Sequence, residues 1–232
     1  MNDLFQRRVV YTLGLMLALC LVAAPTFAQK RSKEAREASR RSADAADVFK
    51  EVMSAPDRAI PQDLVDKAQA IAVFPGVLKA AFIFGGREGK GVISRRTGSG
   101  WSAPAYFKLA GGSFGAQIGA DKTDYVLLIM NQKGLDKLEA DKFELGGDVG
   151  VAVGPVGREA SAATDAQLNA EILTYSRSKG AFIGVSLKGT AIAPDNDLNE
   201  AFYGIKARDV LNGGVNNTPV AVLIFPQTLS RY

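Results

Sequence analysis

Histidine is absent from the 232 residues, and cysteine occurs once, at Cys20. Each absence removes chemistry. Without imidazole there is no Ser-His-Asp or Cys-His nucleophile system, no histidine zinc site and no imidazole proton shuttle. One cysteine allows neither an intramolecular disulfide nor an iron–sulfur cluster. Aromatic residues are few, at 8%, with a single tryptophan, Trp101. The chain is 47% hydrophobic and 22% charged, with a formal net charge of +4. That is the balance of a globular chain, not of a disordered or collagen-like one. Glycine breaks the pattern of scarcity: 24 of 232 residues, about 10% against a usual ~7%. Many glycines should therefore have structural duties.

One long apolar run exists, VVYTLGLMLALCLVAA (9–24), preceded by Arg7 and Arg8. It is short for a membrane helix, which wants ~20 residues. A basic start, an apolar middle and a small-residue end read as a secretory signal over residues 1–28, cut after Ala28 with Thr26 at the minus-three position. Two other readings stand beside it. One is an uncleaved anchor. The other is a lipoprotein, in which LALC (17–20) presents Cys20 for lipidation. All three imply an exported chain that is periplasmic or membrane-peripheral.

Residues 29–60 form a lead-in. QKRSKEAREASRRSADAADVFKEVMSA (29–55) lacks Gly and Pro, which predicts a helix. Ala38, Ala45, Val48, Phe49, Val52 and Met53 fall near i, i+3, i+4 spacing and make an apolar stripe in its second half. That stripe is expected to dock on the chain's own domain. The first half is basic: Lys30, Arg31, Lys33, Arg36, Arg40 and Arg41 stand against Glu34 and Glu37, a net of +4. Near an anionic bilayer each basic residue contributes ~1 kcal/mol. Roughly 4 kcal/mol in total is marginal, so stable attachment needs a second signal. Pro56 and Pro61 end this helix, and PQDLVDKAQAI (61–71) begins another with Pro61 near its first turn.

From Ile71 onward the hydrophobic period becomes two, and glycine recurs every fourth residue on one face. In GGSFGAQIGA (111–120), Gly111, Gly115, Gln117 and Gly119 share a face opposite Phe114 and Ile118. In LGGDVGVAVG (145–154), Gly146, Asp148, Gly150 and Gly154 oppose Val149, Val151 and Val153. In GAFIGVSLKG (180–189), Gly180, Gly184, Ser186 and Lys188 oppose Ile183, Val185 and Leu187, with a bulge possible before Gly189. Interior glycine costs a helix roughly 1 kcal/mol each, so these segments predict strands. A polar glycine face allows close packing or a shallow groove lined by Gln117, Asp148, Ser186 and Lys188. Further strands are expected at 77–86, 90–96, 104–110, 124–130 and VAVLIF (220–225), and helices at 134–142, 197–204 and 206–212. The fold class is α+β: one domain over 61–232, with a glycine-rich, strongly twisted, mostly antiparallel or barrel-like sheet and with N-terminal and connecting helices.

Motifs for chemistry are weak. GGSFG (111–115) fits the G-x-S-x-G elbow, but no histidine exists to serve as its base. GGREGKG (85–91) is close to a P-loop, but Phe84 stands where the first glycine belongs and Gly91 replaces the Ser/Thr. It reads instead as a hairpin turn carrying Arg87 and Lys90, whose amides could capture phosphate. DNDLNE (195–200) lacks the spacing of a calcium loop. No catalytic residue, metal, cofactor or nucleic-acid partner is expected.

Six ordered blocks carry a resemblance: FPGVLKAAFIFGGREGKGV (74–92), WSAPAYF (101–107), GGSFGAQIGADKTDYVLLIMN (111–131), FELGGDVGVAVGPVGRE (143–159), YSRSKGAFIGVSLKGTAI (175–192) and AFYG (201–204). Together they resemble the SYLF lipid-binding domain, also described as the yeast-type actin-binding domain family. The resemblance covers about residues 64–230. It implies a single-domain fold that binds anionic lipid; in eukaryotic relatives it implies phosphoinositide binding, actin bundling and endocytic membrane remodelling. For an exported bacterial-type chain, phosphatidylglycerol or cardiolipin would be the available lipids. The expectation is a non-enzymatic binder of anionic phospholipid, using residues 30–41 together with a basic surface of Lys79, Arg87, Lys90, Arg95 and Arg96. The alternative is a structural or protein-interaction module of the cell envelope that pairs through the polar glycine face.

Overall fold

Helix α1 runs over residues 31–53, as the lack of Gly and Pro there predicts. The computed structural model describes residues 31–55, 60–81, 85–113, 119–140, 142–157, 169–178 and 181–232. The chain divides into two compact units, Met1–Glu37 and Ala38–Tyr232. In the second unit the α1 stripe is buried at Ala45, Val48, Phe49 and Val52. Phe49 meets the Tyr232 ring edge-on at 5.8 Å, so the stripe docks on its own domain as expected. A short α2 (Gln62–Lys67) follows, then β1 (Ala70–Ala81).

Among the described residues, ten strands form one sheet. After β1 come β2 (Gly85–Thr97), β3 (Gly100–Trp101), β4 (Ala105–Ser113) and β5 (Gly119–Ile129). The shorter β6 (Phe143–Leu145), β7 (Val151–Val153), β8 (Ile172–Ser178), β9 (Ala181–Gly184) and β10 (Thr190–Pro194) complete it. The order is β6-β10-β4-β2-β1-β5-β8-β7, with β3 on β2 and β9 on β8. Every pairing is antiparallel except β7–β8. The two ends of the order nearly meet: Leu145 of β6 bridges Val149, and the Gly146 amide donates to the Val149 carbonyl at 2.9 Å. The architecture is therefore α+β with a nearly closed, barrel-like sheet.

Alternation along the strands sorts the core into two sets. Ala70, Ala72, Phe74, Ile93, Phe107, Leu109, Tyr125, Leu127, Phe143, Leu145 and Ile192 fill the enclosed face. Leu135 and Leu138 of α3 (Gln132–Leu138) and Ala207, Val210 and Leu211 of α5 (Ala207–Leu211) pack with that set. Ile71, Val73, Val92, Tyr106, Val126, Leu128, Leu173 and Tyr175 face outward beneath α1, α2 and the C-terminal α6 (Ile224–Leu229). The remaining helix, α4 (Asn196–Tyr203), follows β10 and ends at Gly204, whose φ of 79° is the left-handed cap that glycine allows.

Inside the barrel, glycine is a matter of room. A Cβ on Gly91 would lie 2.4 Å from the Val73 carbonyl and 2.5 Å from the Phe74 ring. The four-residue glycine rule did not give long strands everywhere. Residues 146–148 are a turn, with Gly146 at φ 83°, so 145–154 is two short strands and not one. β9 stops at Gly184, and Gly189, at φ 75°, sits in a second turn, not a bulge. GGREGKG lies within β2 and pairs with β4 along its length, so it is strand and not a hairpin turn. VAVLIF is also not a strand. Pro219 opens a 3-10 turn at Val220–Val222 that leads into α6, because the only inward residues, Val222 and Phe225, are three apart.

One irregularity sets which way charge points. β1 carries an extra residue at Pro75–Gly76: Phe74 pairs with Tyr125 but Val77 with Thr123, and Val73 with Val92 but Leu78 with Glu88. Gly76 takes φ 56° and its amide donates to Asp124 Oδ1 at 2.7 Å. This bulge keeps both Phe74 and Val77 on the inner face.

Candidate functional site

Lys79, Arg87, Lys90, Arg95 and Arg96, expected to form one basic surface, do not share one face of the sheet. On α1, Arg31, Lys33 and Arg36 are exposed in the first unit. Arg40, in the second unit, is also exposed and pairs with Asp44 at 3.1 Å. Lys30 and Cys20 lie outside the described residues, as does the signal segment.

Arg41 is a correction. Only 4% of its side chain is accessible, and its NH2 holds Asp195 Oδ2 at 2.9 Å. Asp195 Oδ1 accepts a second bond from Lys108 Nζ at 2.8 Å. Burial alone would raise the Asp195 carboxyl, but the hydrogen bonds and charges of Lys108 and Arg41 outweigh it and hold the group below the usual carboxylate range. Arg41 also lies 5.9 Å from the centre of the Tyr106 ring. The Tyr106 hydroxyl reaches Ser42 Oγ and the Ala38 carbonyl, each at 3.2 Å, and burial pushes this phenol up to about 12. Asn199 completes the cluster. Its amide accepts from Tyr106 N and donates to the Tyr106 and Asp195 carbonyls, all at 2.9 Å. This is a clamp of α1 onto β4 and α4, and it removes Arg41 from any lipid-facing set.

Arg95 and Arg96 are also structural. Arg95 bonds Asn212 and pairs with Glu139 at 3.7 Å. Arg96 donates to the Ala68 and Val65 carbonyls at the end of α2, at 3.1 and 3.0 Å, and stacks 4.3 Å over Trp101. Lys90 stays exposed on the outer face beside Lys108.

Lys79 and Arg87 turn inward. They are register partners across β1 and β2, and Lys79 also pairs with Asp121 of β5. The same row continues through Gly111 of β4 and Thr190 of β10 to buried Leu145. Lys79 Nζ lies 5.5 Å from the Tyr125 ring centre. The row is near the β1–β2 hairpin end, whereas α3 and α5 pack with the residues at the other end. The side-chain signal for this row was legible in principle: it needed the Pro75-Gly76 pair to be read as a bulge.

Of the four residues expected to line a groove, three are described. Asp148 is exposed in the 146–148 turn, where it accepts from the Glu144 amide at 2.8 Å. Lys188 lays its stem over Gly146, 2.8 Å from where a Cβ would be. Ser186 is exposed beyond β9, and Gln117 lies outside the described residues. Asp148 and Lys188 thus flank a turn and share no sheet face. Among the described residues no helix is long and apolar enough to cross a membrane, and no group of three or more metal-ligating side chains is present.

The fold and these sites define a helix-jacketed, barrel-like α+β domain with its basic residues split between an exposed helix and an inward-facing row. Comparison with known proteins narrows this. Residues 110–232 match the family described as "Ysc84: Las17-binding protein actin regulator". LAS seventeen-binding protein 3 of Saccharomyces cerevisiae is 38% identical over 181 residues, covering 75% of this chain and 39% of that protein. Protein YSC84 of the same yeast is 38% identical over 171 residues, covering 71% and 36%. SH3 domain-containing YSC84-like protein 1 of Xenopus laevis is 34% identical over 165 residues, covering 69% and 49%. The chain belongs to the Ysc84 (SYLF) family. It spans between 36% and 49% of the length of these relatives. Their names describe binding and regulatory proteins, not enzymes.

Proposed function

We propose that this chain is a non-enzymatic module that adheres to anionic phospholipid through the start of α1. The exposure of Arg31, Lys33 and Arg36 carries the reading. With Arg41 buried against Asp195, the attraction falls from roughly 4 to roughly 3 kcal/mol at ~1 kcal/mol per net charge. That is about two decades of affinity, which suits reversible, salt-sensitive adhesion at a membrane surface of the cell envelope. Flotation of the full chain with vesicles of phosphatidylcholine alone, or with about a third phosphatidylglycerol, tests this. Recovery should require the anionic lipid and fall in high salt. The triple variant Arg31→Glu, Lys33→Glu, Arg36→Glu should lose it. Equal recovery with both vesicle types, unchanged in the triple variant, refutes it.

A second reading rests on the relatives' names, which include binding to LAS17. On that reading the chain binds a protein partner of its own compartment. Capture of one specific partner by lipid-free protein, undiminished in the triple variant, would favour it over adhesion to lipid.

A further inference from the structure

The bulge in β1 is joined to helix α1 by a line of polar contacts. On β5, Tyr125 pairs with Phe74 and Thr123 with Val77, so Asp124 stands opposite both Pro75 and Gly76. Proline has no amide hydrogen, which leaves Gly76 as the backbone donor of the bulged pair. Its amide donates to Asp124 Oδ1 at 2.7 Å. A hydrogen bond to a carboxylate is stronger than an ordinary ladder bond between neutral groups. Arg177 of β8 is the register partner of Asp124, and its Nη1 lies 3.8 Å from Asp124 Oδ2. The same Nη1 pairs with Glu51 of α1. Gly76, Asp124, Arg177 and Glu51 thus form a line that crosses three strands and reaches the helix. It is half-buried at Asp124 and Arg177 and opens to water at Glu51.

The arrangement that this line holds is discrete. Val77 and Lys79 face inward past the bulge and Leu78 faces outward. Were the extra residue to move along β1 past these three, Lys79 would turn to solvent and Leu78 would turn in. Gly76 accepts φ 56°, but nothing lies within 4 Å of where its Cβ would stand, so close packing at Gly76 does not fix the place of the bulge. We infer that Asp124 is the register pin of β1, and that Arg177 and Glu51 tie this pin to α1, so that docking of the helix and the inward position of Lys79 are coupled. Asp124 and Arg177 are positioning residues. They alternate with the inward Thr123 and Tyr125 and with the inward Ser176 and Ser178, so they act on the barrel interior from its outer face. Glu51 reaches Asp124 only through Arg177, whose charge orients the carboxylate that Gly76 uses. The coupling is independent of whether the chain adheres to lipid.

Native-state amide exchange of the full chain, followed by NMR, reads the pin. Asp124→Ala should speed exchange of the Gly76 amide at least tenfold relative to the amides of Ala72 and Leu127, which pair on the regular part of the ladder. Asp124→Asn keeps an acceptor oxygen and should restore most of that protection. Arg177→Gln should speed Gly76 exchange threefold or more. Glu51→Ala should act in the same direction, and should add nothing in the Arg177→Gln background. Lys50→Ala, whose partner Asp47 lies on the same helix, should leave Gly76 unchanged. Acylation of lysines by a water-soluble reagent, read by peptide mass, keeps the test open if single amides cannot be followed. Lys79 should react threefold or more faster in Asp124→Ala, while exposed Lys122 should not change. Unchanged Gly76 exchange and Lys79 reactivity in Asp124→Ala overturn the pin, as does an equal rise at Gly76, Ala72 and Leu127. A Glu51→Ala effect that is absent, or that persists undiminished in the Arg177→Gln background, overturns the coupling.

Discussion

Replacing Asp195 with alanine should be among the most damaging single changes in the chain. Asp195 joins Arg41 at 2.9 Å, with both side chains about 5% accessible. It is also bonded by Lys108, which is 47% exposed. Asp195→Ala takes its carboxylate from a guanidinium that is only 4% accessible. Breaking a buried pair in this way costs about 3–5 kcal/mol. For a chain of this size each kcal/mol moves the melting temperature by about 2–4 °C, so a loss of about 6–20 °C is expected. Lys108→Ala should cost under ~1 kcal/mol, because the lysine keeps its water and Arg41 still partners the carboxylate. Acidity gives a second signature. The native carboxyl is held below its ordinary value, so its stabilisation is complete above the unfolded pKa near 3.9 and is lost as pH falls through the native one. Asp195→Ala should flatten this acid limb. Thermal and urea denaturation between about pH 2.5 and 7 would measure both effects. Asp63 provides the control, because its pair with Lys67 at 3.6 Å is largely exposed. If Asp195→Ala shifts the melting temperature no more than Asp63→Ala does, the clamp carries no such energy and the reasoning fails.

Two further outcomes follow from packing. Arg96→Ala removes the bonds to the Val65 and Ala68 carbonyls and the stacking on Trp101, and should cost about 1.5–3 kcal/mol in urea unfolding. Gly91→Ala drives a methyl into the Val73 carbonyl and the Phe74 ring and should cost about 1–3 kcal/mol. Gly98→Ala meets nothing within 4 Å and should be neutral or stabilise by up to ~1 kcal/mol. Equal melting temperatures for the two glycine variants would count against close packing inside the barrel.

The sequence was most readable where one physical signal dominated. Residues 31–53 lack Gly and Pro and carry a clear stripe, and they form the expected helix. The expected strand 90–96 falls within β2, and 104–110 and 124–130 fall within β4 and β5 but for one residue each, whereas the expected strand 77–86 holds only the second half of β1 and runs on into the start of β2. Period counting failed where glycine served a turn: Gly146 and Gly189 sit at positive φ, yet in the string they fit a strand as well as Gly111 does. Val220 reads as strand by composition, but it is 85% exposed and belongs to a Pro-initiated helical turn. For the basic residues, charge gave the inventory without the address. Nothing local marks Arg41 as buried, because its partner Asp195 lies far along the chain. Arg95 and Arg96, adjacent in sequence, alternate across a strand and serve different neighbours.

The bulge at Pro75–Gly76 makes the character of the barrel interior depend on chain length as well as composition. Beyond the insertion, Val77, Leu78 and Lys79 of β1 point to the side opposite the one a regular strand would give them. A chain one residue shorter there would keep the same charged residues, yet would send the Lys79 ammonium to solvent and draw Leu78, now 46% exposed, into the interior. Relatives that differ by a single-residue gap at this point would then have traded a charged lumen for a greasy one without altering a single ionisable group.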